Sequence, residues 1–205
     1  MRTPLVLASR SPQRRAILEQ LDIEFEVVPS GETESRDGDP RELVVANALR
    51  KARAVAATVG DERLVLGVDT EVCLDRRVFG KPPDETEAKQ CLSALSGRTH
   101  EVFSGIALIE DGHERTGSSR TAVEFRDLSD DLIEWYLDTD EWRERAGGYA
   151  IQGLGSALVE RIDGDFWNVV GLPVPLLLDL EPRLLMGREA NSPAGAADSP
   201  SATGA

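Results

Sequence analysis

The 205-residue sequence predicts an α/β fold, on three observations. Two short runs, at residues 5–8 (LVLA) and 64–68 (LVLGV), hold no polar residue and read as buried strands. Capped amphipathic segments that read as helices follow or precede such strands. The chain is also long enough, and at 40% hydrophobic residues apolar enough, for one core or for two small lobes sharing a cleft.

Residues 5–8 form the first strand. Ser11 then caps a helix running to about residue 21, and Pro12 suits its first position, where a missing N–H does no harm. Ile17, Leu18 and Leu21 fall on one face. The turn before this helix gathers Ser9, Ser11, Arg14 and the free N–H groups of a helix start. It reads equally as an anion site or as a plain capped helix with solvated arginines. Residues 24–28 alternate like a half-buried strand, and 29–38 form a polar loop. Asp39-Pro40 opens a helix to about Val59, with Leu43, Val44, Ala48 and Val55 as core candidates. Asn47 and Lys51 sit four apart on a neighbouring face. A helix lysine of this kind is more commonly solvated than bound to phosphate.

The strand at 64–72 carries Asp69 toward its far end. A buried, unpaired carboxylate costs several kcal/mol. The carboxyl ends of strands in open α/β sheets are where ligand-binding groups gather, although a turn cap explains a lone Asp as well. Residues 71–74 and 78–79 read as hairpin arms around 75–77. Gly80-Lys81-Pro82-Pro83 holds Lys81 on a stiff loop that suits a phosphate contact. Asp84 and Glu87 resemble a capping box for a helix with Ala88, Leu92 and Leu95 inward, ended by Gly97. Strands at 99–109 and 116–125 meet at Asp111-Gly112. Ser129 caps a helix containing Leu132, Ile133, Trp135, Tyr136 and Leu137. Residues 143–155 carry Gly147, Gly148, Gly153 and Gly155, where backbone can approach a ligand. A last strand is expected at 156–162, and 168–173 leads into a terminal helix at 174–180. The predicted domain is 1–186, followed by a low-complexity, disordered tail at 187–205.

A formal net charge of −14 argues against nucleic-acid binding through the overall field. It leaves room for a nucleotide substrate, since a few local cations or a metal can receive a phosphate. Cys73 and Cys91 have no CxxC partner and read as buried free thiols in a reducing compartment. Two histidines are too few for a multi-histidine zinc site, so any metal would take oxygen ligands, as Mg²⁺ or Mn²⁺ does. No run approaches a membrane span or a signal peptide, so the expectation is a soluble cytoplasmic protein.

Taken together, several blocks are similar to one family. They are Ser9-x-Ser11-Pro12-x-Arg14-Arg15, Gly67-Val68-Asp69-Thr70, Gly80-Lys81-Pro82, residues 95–102 (LSGRTHEV), 146–153 (AGGYAIQG) and 168–173 (NVVGLP). Over about residues 4–182 the chain resembles the Maf family of nucleoside triphosphate pyrophosphatases. The resemblance implies an elongated mixed central sheet with helices on both faces and two lobes around a substrate cleft, as in inosine triphosphatase-like enzymes. It implies hydrolysis of a nucleoside triphosphate to monophosphate and pyrophosphate, assisted by a divalent cation (Mg²⁺ or Mn²⁺), and it leaves room for a homodimer. By position, Asp69 matches the proton acceptor, Ser9, Ser11 and Arg14 the phosphate-binding motif, and Glu34, Lys51, Lys81 and Gln152 the other pocket residues. Glu34 with Asp69 is the implied metal pair.

Asp69-Thr70 and Ile151-Gln152-Gly153 are similar to the branch acting on dTTP and UTP, so Gln13, Thr70 and Gln152 are the implied specificity positions. The chain departs from that branch at Gln13, where Arg is usual, at Gly31, where an acid is common, and at Glu71, where an apolar residue is expected. The alternatives are a non-enzymatic nucleotide-binding regulator of septum formation and a phosphohydrolase releasing orthophosphate.

Overall fold

A computed structural model describes residues 4–35 and 38–186. The chain opens with β1 (Leu5–Leu7), α1 (Pro12–Gln20) and β2 (Phe25–Val27), then α2 (Pro40–Val59) and β3 (Val65–Leu74). β1 pairs in parallel with both β2 and β3. After β3 the sheet becomes antiparallel. β4 (Arg77–Phe79) folds back on β3, α3 (Glu85–Leu95) follows, and β5 (Thr99–Glu110) and β6 (His113–Phe125) form a long hairpin. Beyond α4 (Asp130–Leu137) and two 3₁₀ turns, Ala146–Gly148 and Leu154–Leu158, β7 (Val159–Asp163) pairs with β6. Helices α5 (Phe166–Val170), α6 (Val174–Leu180) and α7 (Arg183–Met186) complete the described chain. The seven strands run β2-β1-β3-β5-β6-β7, with β4 on the far part of β3.

β3 is the hinge of this order. One edge is paired with β5 from Val65 to Cys73. The other meets β1 at Val65 and Leu66 and β4 from Val72 to Leu74. Between them, among the described residues, residues 67–71 have no strand on that edge. A gap where neighbouring strands diverge is where sheets of this class admit ligands.

Side chains alternate across the sheet, so residues 66, 68, 70 and 72 of β3 share one face. Two apolar cores lie on that face at opposite ends. Leu66, Val68, Ile106 and Leu108 pack with Ile17 and Leu18 of α1 and Leu177 of α6. Val72, Leu74, Val102 and Phe125 pack with Leu92 of α3, Tyr136 of α4, Trp142 and Tyr149. Thr70 and its partner Ser104 form a polar seam between these two lobes.

Helix α2 covers the opposite face through Ala48, Ala52 and Val55. It rests directly on the strands because Gly67 and Gly105 offer no side chain. A Cβ at Gly67 would fall 2.1 Å from the Ala48 carbonyl oxygen, and one at Gly105 2.3 Å from that of Val44. Any larger residue there must lift the helix.

Two strand starts and the helix content near the C-terminal end differ from expectation. β6 begins at His113 rather than at residue 116. Asp111 (φ 51°) and Gly112 (φ 75°) complete a two-residue turn that pairs Glu110 with His113 at once. Residues 156–158 are not strand but the end of a 3₁₀ turn, tightened by the Ser156 N–H bond to the Gly153 carbonyl. The five-residue α5 was not expected; Asp165 caps it by accepting from the Trp167 N–H. The tail expected at 187–205 lies outside the described residues. Cys73 is buried and Cys91 half-buried, both as free thiols. Among the described residues no helix is long and apolar enough to cross a membrane.

Candidate active site

The gap in β3 opens into a cleft of about 540 Å³. Its walls are the β1–α1 turn, the loop after β2, Lys51 of α2, residues 69–72, Gly80-Lys81, residues 144–152 and the turn after α5. All ten expected positions line it: Ser9, Ser11, Gln13, Arg14, Glu34, Lys51, Asp69, Thr70, Lys81 and Gln152.

At the floor, Asp69 faces α2, with only 3% of its side chain exposed. Its two oxygens have different partners. Lys51 Nζ donates to Oδ1 at 2.6 Å, and Asn47 Nδ2 donates to Oδ2 at 2.8 Å. These contacts offset the desolvation of a buried carboxylate. Both depend on the low seat of α2 over Gly67 and Gly105.

Lys51 overturns the expectation of a solvated lysine, since only 8% of its side chain is exposed. Its three donors meet three acceptors: Asp69, Glu34 Oε1 at 2.5 Å and the Val68 carbonyl at 3.3 Å. Partial burial raises the Glu34 carboxyl, but Lys51, helped by Arg14, outweighs that and holds it below the usual range. Asn47 also ties down the loop bearing Glu34. It donates to the Ser35 carbonyl at 3.0 Å and accepts from the Ser35 N–H at 3.1 Å. Arg50 donates to Asn47 Oδ1 at 2.6 Å and to the Thr33 carbonyl at 2.7 Å.

On the other face, Arg14 is buried rather than solvated. Its Nε donates to the Gly171 carbonyl at 2.9 Å, Nη1 to Ser9 Oγ at 2.9 Å and Nη2 to Thr70 Oγ1 at 3.2 Å. Burial lowers its guanidinium, and Asp69 and Glu34 push it back up. Thr70 Oγ1 also shares a 2.9 Å hydrogen bond with Ser104. Ser11 caps α1 by accepting from the Arg14 N–H, and its hydroxyl donates to Gln13 Oε1 at 2.9 Å.

The opposite wall is looser. Lys81 pairs with Glu144 at 3.0 Å, both exposed, and Gln152 is exposed. Behind it, His100 and Tyr149 share a 2.8 Å hydrogen bond, and burial brings His100 down to about 4, so its ring is neutral. Sequence reasoning missed Asn47, Arg145 and Tyr149 as cleft or floor residues. The i, i+4 pairing of Asn47 with Lys51 beside core positions was the available signal. Glu71, at a position where an apolar residue is expected, is a buried cleft carboxylate next to Thr70.

Oxygen donors suited to a hard cation are present in Glu34 and Asp69, held together by one ammonium. Among the described residues no group of three or more His, Cys, Asp or Glu side chains is placed to hold a metal by itself. Such a pair fits Mg²⁺, which takes one or two carboxylates and completes its shell with phosphate oxygens and water.

The family model described as Maf-like protein matches residues 4–181. A dTTP/UTP pyrophosphatase from Pyrococcus furiosus is 44% identical over 180 residues, covering 86% of this chain and 93% of that one. Those from Thermococcus gammatolerans and Bacillus cytotoxicus are 48% and 46% identical, over 86% and 84% of this chain and 94% and 91% of theirs. Among solved structures, a nucleoside-triphosphatase / dITP/XTP pyrophosphatase from Mycobacterium abscessus is 21% identical over 62% of this chain and 76% of that one, with a TM-score of 0.41. On the extent of the family match and the identity to these relatives, the chain belongs to the Maf family.

Proposed function

We propose that this protein hydrolyses a nucleoside triphosphate of the dTTP/UTP class to the monophosphate and pyrophosphate, as a housecleaning enzyme. One observation carries the reading: a buried carboxylate, Asp69, sits at the open edge of β3 on the floor of a cation-lined cleft. The names of the relatives support the same reaction and substrate class.

In the proposed reaction water attacks the α-phosphorus and the bond to the bridging oxygen of the β-phosphate breaks. The attacking water gives a proton to Asp69, and pyrophosphate leaves with the bridging oxygen. Lys51 and Asn47 fix the carboxylate, so its remaining lone pairs are aimed and not free to rotate. Arg14, locked by three acceptors, sets positive potential beside the reacting phosphate. Ser9 and Ser11 brace the turn that carries Arg14, by accepting from the Ser11 and Arg14 N–H groups. Asp69 and Glu34 would hold Mg²⁺ or Mn²⁺, whose charge would help neutralise the phosphates and stabilise the leaving group.

The amides of Gln13 and Gln152 are the groups suited to read a base edge, since each can donate and accept. Thr70 acts at one remove, through the hydrogen bond that holds Arg14. The active unit is residues 1–186, and free thiols at Cys73 and Cys91 suit a reducing cytoplasm.

The test is a panel of nucleoside triphosphates with Mg²⁺ or Mn²⁺, with the released product identified. Pyrophosphate with the matching monophosphate from dTTP or UTP is expected. Orthophosphate as the first product, or no pyrophosphate from any nucleotide, overturns the reading. Gln13→Arg in the same panel shows how that position weighs on base choice.

A further inference from the structure

Among the described residues five cations line the cleft: Arg10, Arg14, Lys51, Lys81 and Arg145. Most have their donors assigned within the protein. Arg14 uses Nε, Nη1 and Nη2 on three acceptors, and Lys51 meets one acceptor for each of its hydrogens. Lys81 is paired with Glu144, and Arg10 stands exposed on the β1–α1 turn.

Arg145 is different. It is half-buried, and its Nε is shut off from solvent without a hydrogen-bond partner. Among the described residues no hydrogen bond or ion pair engages its guanidinium. Withdrawing such a group from water without a partner costs free energy, and an arriving pair of oxygens would recover it. A planar fork of this kind matches phosphate oxygens two at a time.

Its setting is stiff. The turn that follows has Gly147 at φ 69°, with the Gly147 N–H bonded to the Gly80 carbonyl at 3.1 Å. Arg145 and Lys81 therefore stand on one connected wall. Across the cleft are the β1–α1 turn and Arg14, the arginine that feels the charges of Asp69 and Glu34. The carboxylates that act on Arg145 are Glu141 and Glu144, neither of them on the floor. The cation beside the attacking carboxylate suits the phosphate under attack. The uncommitted one on the far wall suits the group that departs.

Building on the pyrophosphatase reading above, we infer that Arg145, with Lys81 beside it, binds the oxygens of the pyrophosphate that leaves. Inorganic pyrophosphate is the probe. It is tested as an inhibitor of UTP turnover and by calorimetric titration, on the parent protein, Arg145→Ala and Arg145→Lys, with uridine monophosphate as the control inhibitor. Arg145→Ala should weaken pyrophosphate binding about tenfold or more, the size expected for losing hydrogen bonds to a charged group. Arg145→Lys should lose less, because it keeps the charge without the fork. Monophosphate inhibition should stay within about twofold, since one lost contact remote from that product changes little.

Unchanged pyrophosphate binding in Arg145→Ala overturns the inference. So does an equal loss for both inhibitors, or no pyrophosphate binding by the parent. If Arg145→Ala does not fold, Arg145→Lys and Arg145→Gln decide on the same readouts. A parent that turns over no triphosphate overturns the pyrophosphatase reading instead, and the titration still shows whether Arg145 holds pyrophosphate.

Discussion

Asp69 on the cleft floor and Glu181 just past α6 are carboxylates with almost no exposed side chain, 3% and 1% respectively. Each is held by at least one cation, yet their surroundings differ in kind. Glu181 is gripped by two guanidinium groups. Arg183 donates from Nε to Oε1 at 2.6 Å and from Nη2 to Oε2 at 2.5 Å, and Arg115 Nη2 reaches Oε2 at 2.8 Å. The Arg183 bonds, aided by Arg115 and opposed by burial, bring Glu181 down to about 2. Asp69 has one ammonium on one oxygen and one amide on the other, and a cleft in front of it. Forked arginines occupy a carboxylate from several directions and make it a fastener. An ammonium and an amide hold it from one side and leave lone pairs for chemistry.

The largest expected effect is at the floor. Asp69→Asn keeps shape and removes the proposed proton acceptor, so kcat should fall about 10³-fold in a protein that still folds. Substantial residual turnover would put Asp69 in the same class as Glu181. Lys51→Arg transplants the fork into the cleft. Turnover should drop about a hundredfold with stability kept, because a second donor takes lone pairs that the reaction needs. Full activity in that variant would break the distinction between ammonium and fork.

Glu181→Gln is the mirror experiment. It should leave kcat and KM unchanged and lower unfolding stability at pH 7 by about 2–3 kcal/mol, less than a fully enclosed pair because both arginines are partly exposed. The sign in pH follows from its lowered carboxyl. The stabilisation is complete above the ordinary value of 4.5 and is lost as pH falls toward about 2. Denaturant midpoints measured across that window should be flatter for Glu181→Gln than for the parent. The smallest effect among the floor residues is expected for Asn47→Ala, about tenfold in kcat with KM rising less, because one hydrogen bond to a charged group is lost. An effect on KM alone would make Asn47 only a clamp for the Ser35 loop.

What could be read from the sequence was local. Ser11 and Asp39 announce their helices because an N-cap needs only its own turn, and α2 runs from Pro40 to Val59 as expected. The Asp111-Gly112 turn also identifies its hairpin locally. The burials were not readable, because their causes lie far along the chain. Arg14 is enclosed by a carbonyl 157 residues away, at Gly171. Lys51 is buried because Gly67 and Gly105, on two other elements, let α2 sit low. No periodicity within α2 records that spacing. The start of β7 differs for a related reason: a hydrogen-bonded 3₁₀ turn stands over residues 156–158, where strand is expected.

The long strands set how the cleft can move. β3, β5 and β6, of 10, 12 and 13 residues, pass beneath both apolar cores without a break. A molecule of two bodies on a flexible tether closes by pivoting. Here a pivot would shear the ladder between β5 and β6, which is paired from Thr99–Glu124 to Glu110–His113. The sheet is a beam under the site, and the relative position of its two ends is fixed when the chain folds. Adaptation to different substrates then falls to what the beam carries on its rim, the first turn of α1 bearing Gln13 and the segment bearing Gln152. Variation in nucleotide range should collect in those two segments, while the sheet beneath them holds its dimensions.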